Sequence, residues 1–237
     1  MYKIYTRLLA DRLSNHVEPL LRKSQYGFRK HRSTAHAIHV VRRTMDALFH
    51  KSHIDLNLLL LDWSKAFDKV DTLALSDALI AFGVGGAFLK AIQNTFKSQF
   101  RVRGQGGFPP SSLRPQSTGI RQGCPLSPLL FIIMLSWLME GVHRQYASLG
   151  IEGPPLPVWD VFYADDTILL SVNQEDLQAR FSILEDLAAQ VGLYMNRDKT
   201  VLILAKVKSK QTLGTAHPTA PHNRKVDPFR IKNLILE

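Results

Sequence analysis

Apolar residues return at helical spacing through residues 4–21 (Ile4, Leu8, Leu13, Val17, Leu20, Leu21) with basic residues between them, which predicts a helix. Gly27 breaks the pattern inside SQYGFRKHRST, a stretch dense in Arg, Lys and His. Ser33 or Thr34 is placed to cap a second helix whose inner face is Ile38, Val41, Met45 and Leu48. DLNLLLLD, residues 55–62, is a short apolar run ending in an acid and reads as a buried strand. Residues 72–100 are helical again, with a turn at Gly83, Gly85 and Gly86. The Gly/Pro/Ser-rich basic stretch that follows, to Gly119, is a hairpin or loop. Pro125 and Pro128 open a helix that is apolar nearly all round, hence internal. VFYADDTILL, residues 161–170, sets apolar β-formers around a polar centre, a hairpin with Asp165 and Asp166 at its turn. Asn173, with Asp176 three residues on, caps a helix carrying Leu177, Phe181, Leu184, Leu187 and Val191, which Gly192 stops. TVLILA, 200–205, is a last strand, and the basic Thr/Pro/His-rich segment after it reads as loop or tail. This order predicts an α+β fold, a small sheet covered on one face by helices.

Charge narrows the partner. Thirty Lys and Arg against twenty Asp and Glu leave a net charge of +10, which favours a polyanion, nucleic acid before membrane. The longest apolar run, residues 129–139, is too short to span a bilayer, so no membrane partner is expected. The single cysteine, Cys124, excludes an intrachain disulfide and a Cys-based metal cluster, and no disulfide-linked partner is expected. That suits a reducing intracellular compartment, nucleus or cytoplasm.

The acids narrow the chemistry. Two neighbouring carboxylates on a hairpin heading for a core are costly unless something compensates them. Asp62, ending a separate strand, joins Asp165 and Asp166 if the strands are neighbours, and three carboxylates together repel. Divalent cations relieve that repulsion: Mg²⁺ takes one or two carboxylates plus substrate phosphates. Taken alone, YADD reads more simply as an acidic β-turn. Its weight comes from its company.

That company is five blocks in order: SQYGFRKHRST, LLLLDWSKAFDKVD, STGIRQGCPLSPLLF, FYADD and GLYMNRDKT. Together they resemble the reverse transcriptase domain of non-LTR (LINE-type) retrotransposons, with group II intron reverse transcriptases more distant, over residues 2 to about 205. The resemblance implies a polymerase palm with partial fingers and no thumb. Residues 1–50 would be partial fingers, 51–71 palm, 72–120 a fingers insertion, 121–205 palm, and 206–237 a basic tail or truncated thumb connection. It implies an RNA-directed DNA polymerase using two Mg²⁺ ions, or Mn²⁺, with RNA template, DNA primer and dNTP as partners.

By the same resemblance Asp62 and Asp165 bind metal with the Trp63 carbonyl, and Asp166 supports them. Phe67 lies beneath the sugar of the incoming nucleotide, where a ring leaves no room for a 2′-OH. Arg121, Gln122 and Gly123 close over nucleotide and template, and Lys199 lies near the nucleotide phosphates. Charge alone offers Arg29, Lys30 and Arg32 as template phosphate contacts. Asp68 and Asp71 are expected to cap or pair, Cys124 to be a small buried residue, and His31, His36 and His39 lack metal spacing.

The sequence departs from the family pattern at both ends. No RPIS-like finger stretch and no YLG-like element is found, nor an endonuclease domain. The expectation is weak or no synthesis by this polypeptide alone. The competing readings are a non-catalytic nucleic-acid-binding remnant and an RNA-templated RNA polymerase; Phe67 speaks against the latter.

Overall fold

Leucine at every position but one gives β1 (Leu56–Leu61) two apolar faces, the pattern of a strand buried on both sides. The computed structural model describes residues 1–51, 54–97, 99–101, 103–104, 111–116, 118–151, 153, 156–207 and 230–236. Along the chain run α1 (Tyr2–Val17), α2 (Thr34–Lys51), β1, α3 (Ala66–Lys69), α4 (Thr72–Ala81) and α5 (Gly86–Gln93). Then come β2 (Gln99–Phe100), β3 (Arg114–Pro115), α6 (Ser127–Ser148), β4 (Asp160–Tyr163), β5 (Asp166–Ser171), α7 (Gln174–Gln190), β6 (Val201–Val207) and β7 (Arg230–Leu236).

β1 is the middle strand of a sheet ordered β4-β5-β1-β6-β7. Its pairings with β5 and β6 are antiparallel, as is β4 with β5; β7 joins β6 in parallel. One face (Leu59, Leu61, Phe162, Leu169, Leu202) meets α1, α4, α6 and α7 in the main core. α6 is enclosed on nearly every side from Ser127 to Met139, with Phe131, Ile132, Ile133 and Met134 fully buried, while its last turns expose Glu140, Arg144 and Gln145. The other face (Leu56, Leu58, Val161, Leu170, Ala205) packs on Ala37 and Leu48 of α2. The sheet is therefore covered on both faces, not one, as the leucines on both sides of β1 require.

Further expectations change in detail. Ile4 and Leu8 of α1, and Ile38 of α2, are exposed, while Leu9, Leu13, Ala37 and Leu48 face inward. The helical stretch expected to reach residue 100 ends at Gln93, and β2 follows. The basic tail expected over 206–237 begins as the end of β6 and returns as β7, whose RIKNLIL is rich in strand-forming residues. Among the described residues no helix is long and apolar enough to cross a membrane.

Candidate active site

The register of the central strands brings the acids together. Leu61 lies opposite Thr167, so one step further along β1 Asp62 comes opposite Asp166. Tyr163 pairs with Asp166 and closes the β4–β5 hairpin, leaving Ala164 and Asp165 as its two-residue turn. Ala164 takes the left-handed conformation (φ 59°) that tight hairpin turns demand.

Asp165 and Asp166 are exposed, and Asp62 is partly so. The acids therefore do not head into the core as the apolar flanks suggested; the flanks are buried and the tip projects. Burial, then the charges of Asp165 and Asp62, push the Asp166 carboxyl above its ordinary range. Asp166 thus feels both of the other acids. Lys199 Nζ stands 3.7 Å from Asp62 Oδ2, with both side chains well exposed, a pair of little energetic weight. Among the described residues no three His, Cys, Asp or Glu side chains already converge tightly enough to hold a metal. The donor set nonetheless fits a hard cation, because Mg²⁺ is held by one or two carboxylates plus phosphates and water.

The chain after Asp62 is tightly fixed. The Asp62 carbonyl accepts from Asn196 N at 2.8 Å and Ser64 N donates to Tyr194 O at 2.8 Å, so GLYMN is laid against the acid's own backbone. Trp63 bridges Met195 between those two bonds, at the position whose carbonyl points away from the partner chain. Its buried indole Nε1 donates to Thr167 Oγ1 at 3.1 Å. Phe67 stacks on Phe131 of α6 with centroids 4.8 Å apart, one side in the core and part of the ring exposed. Its carbonyl accepts from Ile120 N at 2.7 Å, which ties GIRQG to the site. Gln122 Nε2 donates to Asp68 Oδ1 at 3.1 Å, and Arg121 lies over the Tyr2 ring at 4.8 Å. Gly123, at φ 74°, has open space where a Cβ would stand. Asp71 accepts from Leu73 N and Ala74 N as the cap of α4, and Cys124 is buried, both as expected.

SQYGFRKHRST has a different place from the one its charge suggested. The Arg29 side chain is 5% exposed, paired with Glu18 and donating to the carbonyls of Arg22, Gln25 and Glu18. A phosphate contact does not fit a guanidinium so committed. Arg32 donates to Lys23 O and Gln25 O, partly exposed over Tyr26, and Lys30 is exposed. The arginines brace a segment whose buried Gln25 accepts from Gly27 N (2.8 Å) and Ala164 N (3.3 Å) through Oε1. Gly27 lies so close that a Cβ there would come 2.0 Å from Ala164 N. The segment thus backs the turn that carries Asp165.

Sequence reasoning missed Gln25, Gly27 and Thr167 as supports, and missed Asp160 altogether. Asp160 is 2% exposed, held by Arg22 Nη2 (2.9 Å), His143 Nε2 (2.8 Å) and Ser24 Oγ. The glycine after a buried-looking Gln was the available signal for the first two; nothing in the spacing marked Asp160.

A small sheet with acids at the ends of two neighbouring central strands and helices on its faces is the palm-like core of a nucleotide polymerase. A family model described as reverse transcriptase (RNA-dependent DNA polymerase) matches residues 1–226, and the chain belongs to that family. It is 28% identical, over 68% of its length, to the Retrovirus-related Pol polyprotein from type-2 retrotransposable element R2DM of Drosophila melanogaster, and spans 15% of that protein. It is 25% identical, over 84% of its length, to the Transposon TX1 uncharacterized 149 kDa protein of Xenopus laevis, again spanning 15% of it. Apo telomerase from Candida Tropicalis truncated from its C-terminal domain superposes with TM-score 0.64 at 15% identity, over 86% of this chain and 41% of that one. The telomerase of Candida albicans, solved with a fragment of telomeric RNA, gives 0.61 at 15% identity, over 83% of this chain and 34% of that one. At such identities the structures speak for the fold alone.

Proposed function

We propose that this chain is the nucleotidyl-transfer centre of a retroelement reverse transcriptase, adding deoxynucleotides to a primer 3′-OH opposite an RNA template. The observation that supports the reading is the meeting of Asp62 with the hairpin end that carries Asp165 and Asp166, where the charges of Asp62 and Asp165 act on Asp166. Asp62 and Asp165 would hold two Mg²⁺ ions, or Mn²⁺, with the Trp63 carbonyl as a further ligand and Asp166 in support. When bound, such a pair lowers the pKa of the attacking hydroxyl and steadies attacking and leaving oxygens through the in-line displacement.

The chain's own residues supply the rest. Phe131 pins the Phe67 ring, so the wall beneath the sugar keeps its shape and rejects a 2′-OH. Gly123 leaves its backbone open to a close ligand, with Gln122 and Arg121 beside it as polar and cationic contacts. Lys199, loosely paired with Asp62, is free to swing to a phosphate. Lys30 and Arg32 offer charge to the template; Arg29 is left out of that role.

The test is primer extension on an RNA template with Asp62→Asn and Asp165→Asn, each checked for an unchanged circular dichroism spectrum. Loss of extension with the fold intact is expected; wild-type rates in either variant would overturn the assignment. Weak extension by the 237-residue chain alone is also expected. Robust Mg²⁺-dependent synthesis would remove that expectation and leave the site assignment standing. Nucleic-acid binding without extension under any condition would favour the non-catalytic reading.

A further inference from the structure

We propose that the Thr167 hydroxyl, held by the Trp63 indole, positions Asp165 relative to Asp62 and so sets how tightly this pair takes a divalent cation. The inference rests on the cation reading of these two acids.

Two observations carry it. Trp63 directly follows Asp62, is 5% exposed, and its Nε1 donates to Thr167 Oγ1 at 3.1 Å. Thr167 is 1% exposed and its hydroxyl in turn donates to the Asp165 carbonyl at 3.4 Å. A chain of two hydrogen bonds therefore begins one residue from the first acid and ends on the backbone of the second.

The chemistry of the central group fits the task. A hydroxyl accepts one hydrogen bond while donating another, which valine, of the same shape, cannot do. Without the hydroxyl, the indole N–H is left buried and unpaired. The turn is braced from behind by Gln25 through Ala164 N, but that contact fixes the hairpin to residues 24–27 and not to the strand carrying Asp62. Among the described residues, Trp63 and Thr167 make a side-chain hydrogen bond between the two acid-bearing segments. A merely structural role would predict lost stability with cation affinity unchanged, so affinity is the quantity to measure.

Mn²⁺ titration of the purified chain, followed by the electron paramagnetic resonance of the free ion, reads that affinity without nucleic acid or turnover. Urea unfolding is measured alongside. Thr167→Val and Trp63→Phe are each expected to weaken Mn²⁺ binding about tenfold, in the range lost when groups orienting metal ligands are removed. The double variant should lose no more than either single one, because both break the same relay. Thr167→Ser keeps the hydroxyl and should stay near wild type. Wild-type affinity in both Thr167→Val and Trp63→Phe, or a double loss equal to the product of the singles, overturns the relay. If Thr167→Val does not fold, Trp63→Phe against Thr167→Ser decides by the same criterion. Asp165→Asn separates the two readings. Lost binding there with full binding in Thr167→Val sinks the relay alone, and full binding in Asp165→Asn sinks the cation reading itself.

Discussion

At the base of the β4–β5 hairpin Asp160 is 2% exposed and touches Arg22, Ser24 and His143; at the tip Asp165 and Asp166 face solvent beside Asp62. Burial pushes the Asp160 carboxyl up, but His143, the Arg22 charge and Ser24 outweigh it and hold the group below its usual range. At the tip burial and like charge act together and push Asp166 up. One hairpin thus carries a carboxylate the protein itself neutralises and another, Asp166, that it leaves facing like charges. The first arrangement is what a fold needs. The second lies at an exposed end, and its oxygens are the ones the proposed cation would take.

The contrast breaks first at the base. Asp160→Ala leaves Arg22 only the exposed Glu140 as an acid partner and leaves His143 and Ser24 without theirs, and unfolding in urea is expected to show a loss of about 2–4 kcal/mol. Asp165→Asn should change stability little while abolishing extension. Equal stabilities for the two variants would erase the distinction between the ends.

The brace behind the tip comes next. Gly27→Ala forces a methyl against Ala164 N, and about 1–3 kcal/mol of destabilisation is expected, with primer extension falling as the turn shifts. A neutral Gly27→Ala would show that the segment 24–27 does not hold the turn.

The pH dependences of the two ends have opposite signs. Asp160, lowered in the folded state, contributes stability above the unfolded carboxyl value of about 3.9, lost as pH falls through its folded value. Asp166, raised, contributes stability present below about 3.9 and lost as pH rises through its folded value. Thermal melts between pH 3 and 7 should therefore find Asp166→Asn slightly more stable than wild type at neutral pH, the gap closing on the acid side. A gap that widens on acidification would contradict the sign. Smallest of all, Lys30→Gln should leave stability alone and lower the salt slope of RNA binding by about one, whereas Arg29→Gln should act mainly on stability.

These contrasts also mark what the letters could convey. The strand ending at Asp62, the hairpin with its acids at one end and the Pro-opened internal helix were legible, because each rests on local periodicity and turn chemistry; the turn itself falls one residue earlier than expected, at Ala164 and Asp165, with Asp166 opening β5. The helix covering the second sheet face was not, since spacing that finds an inner face of α2 does not say which layer it meets. Arg29 was misjudged because an arginine amid lysines and histidines reads as surface, while its burial depends on Glu18 and on carbonyls the fold brings near. Asp160 was invisible for the same reason: its partners at 22, 24 and 143 are distant in sequence. Thr167 read as one more β-former, and only the register that sets it beside Trp63 reveals its hydroxyl as a link.

The central claim concerns where a cation sits, and anomalous diffraction answers it most directly. Crystals of the chain with an RNA template, a DNA primer and a non-reactive nucleotide, grown in MnCl₂, should show manganese peaks within bonding distance of the Asp62 and Asp165 carboxylates. Manganese bound elsewhere, with those two carboxylates turned to separate surfaces, would contradict the account.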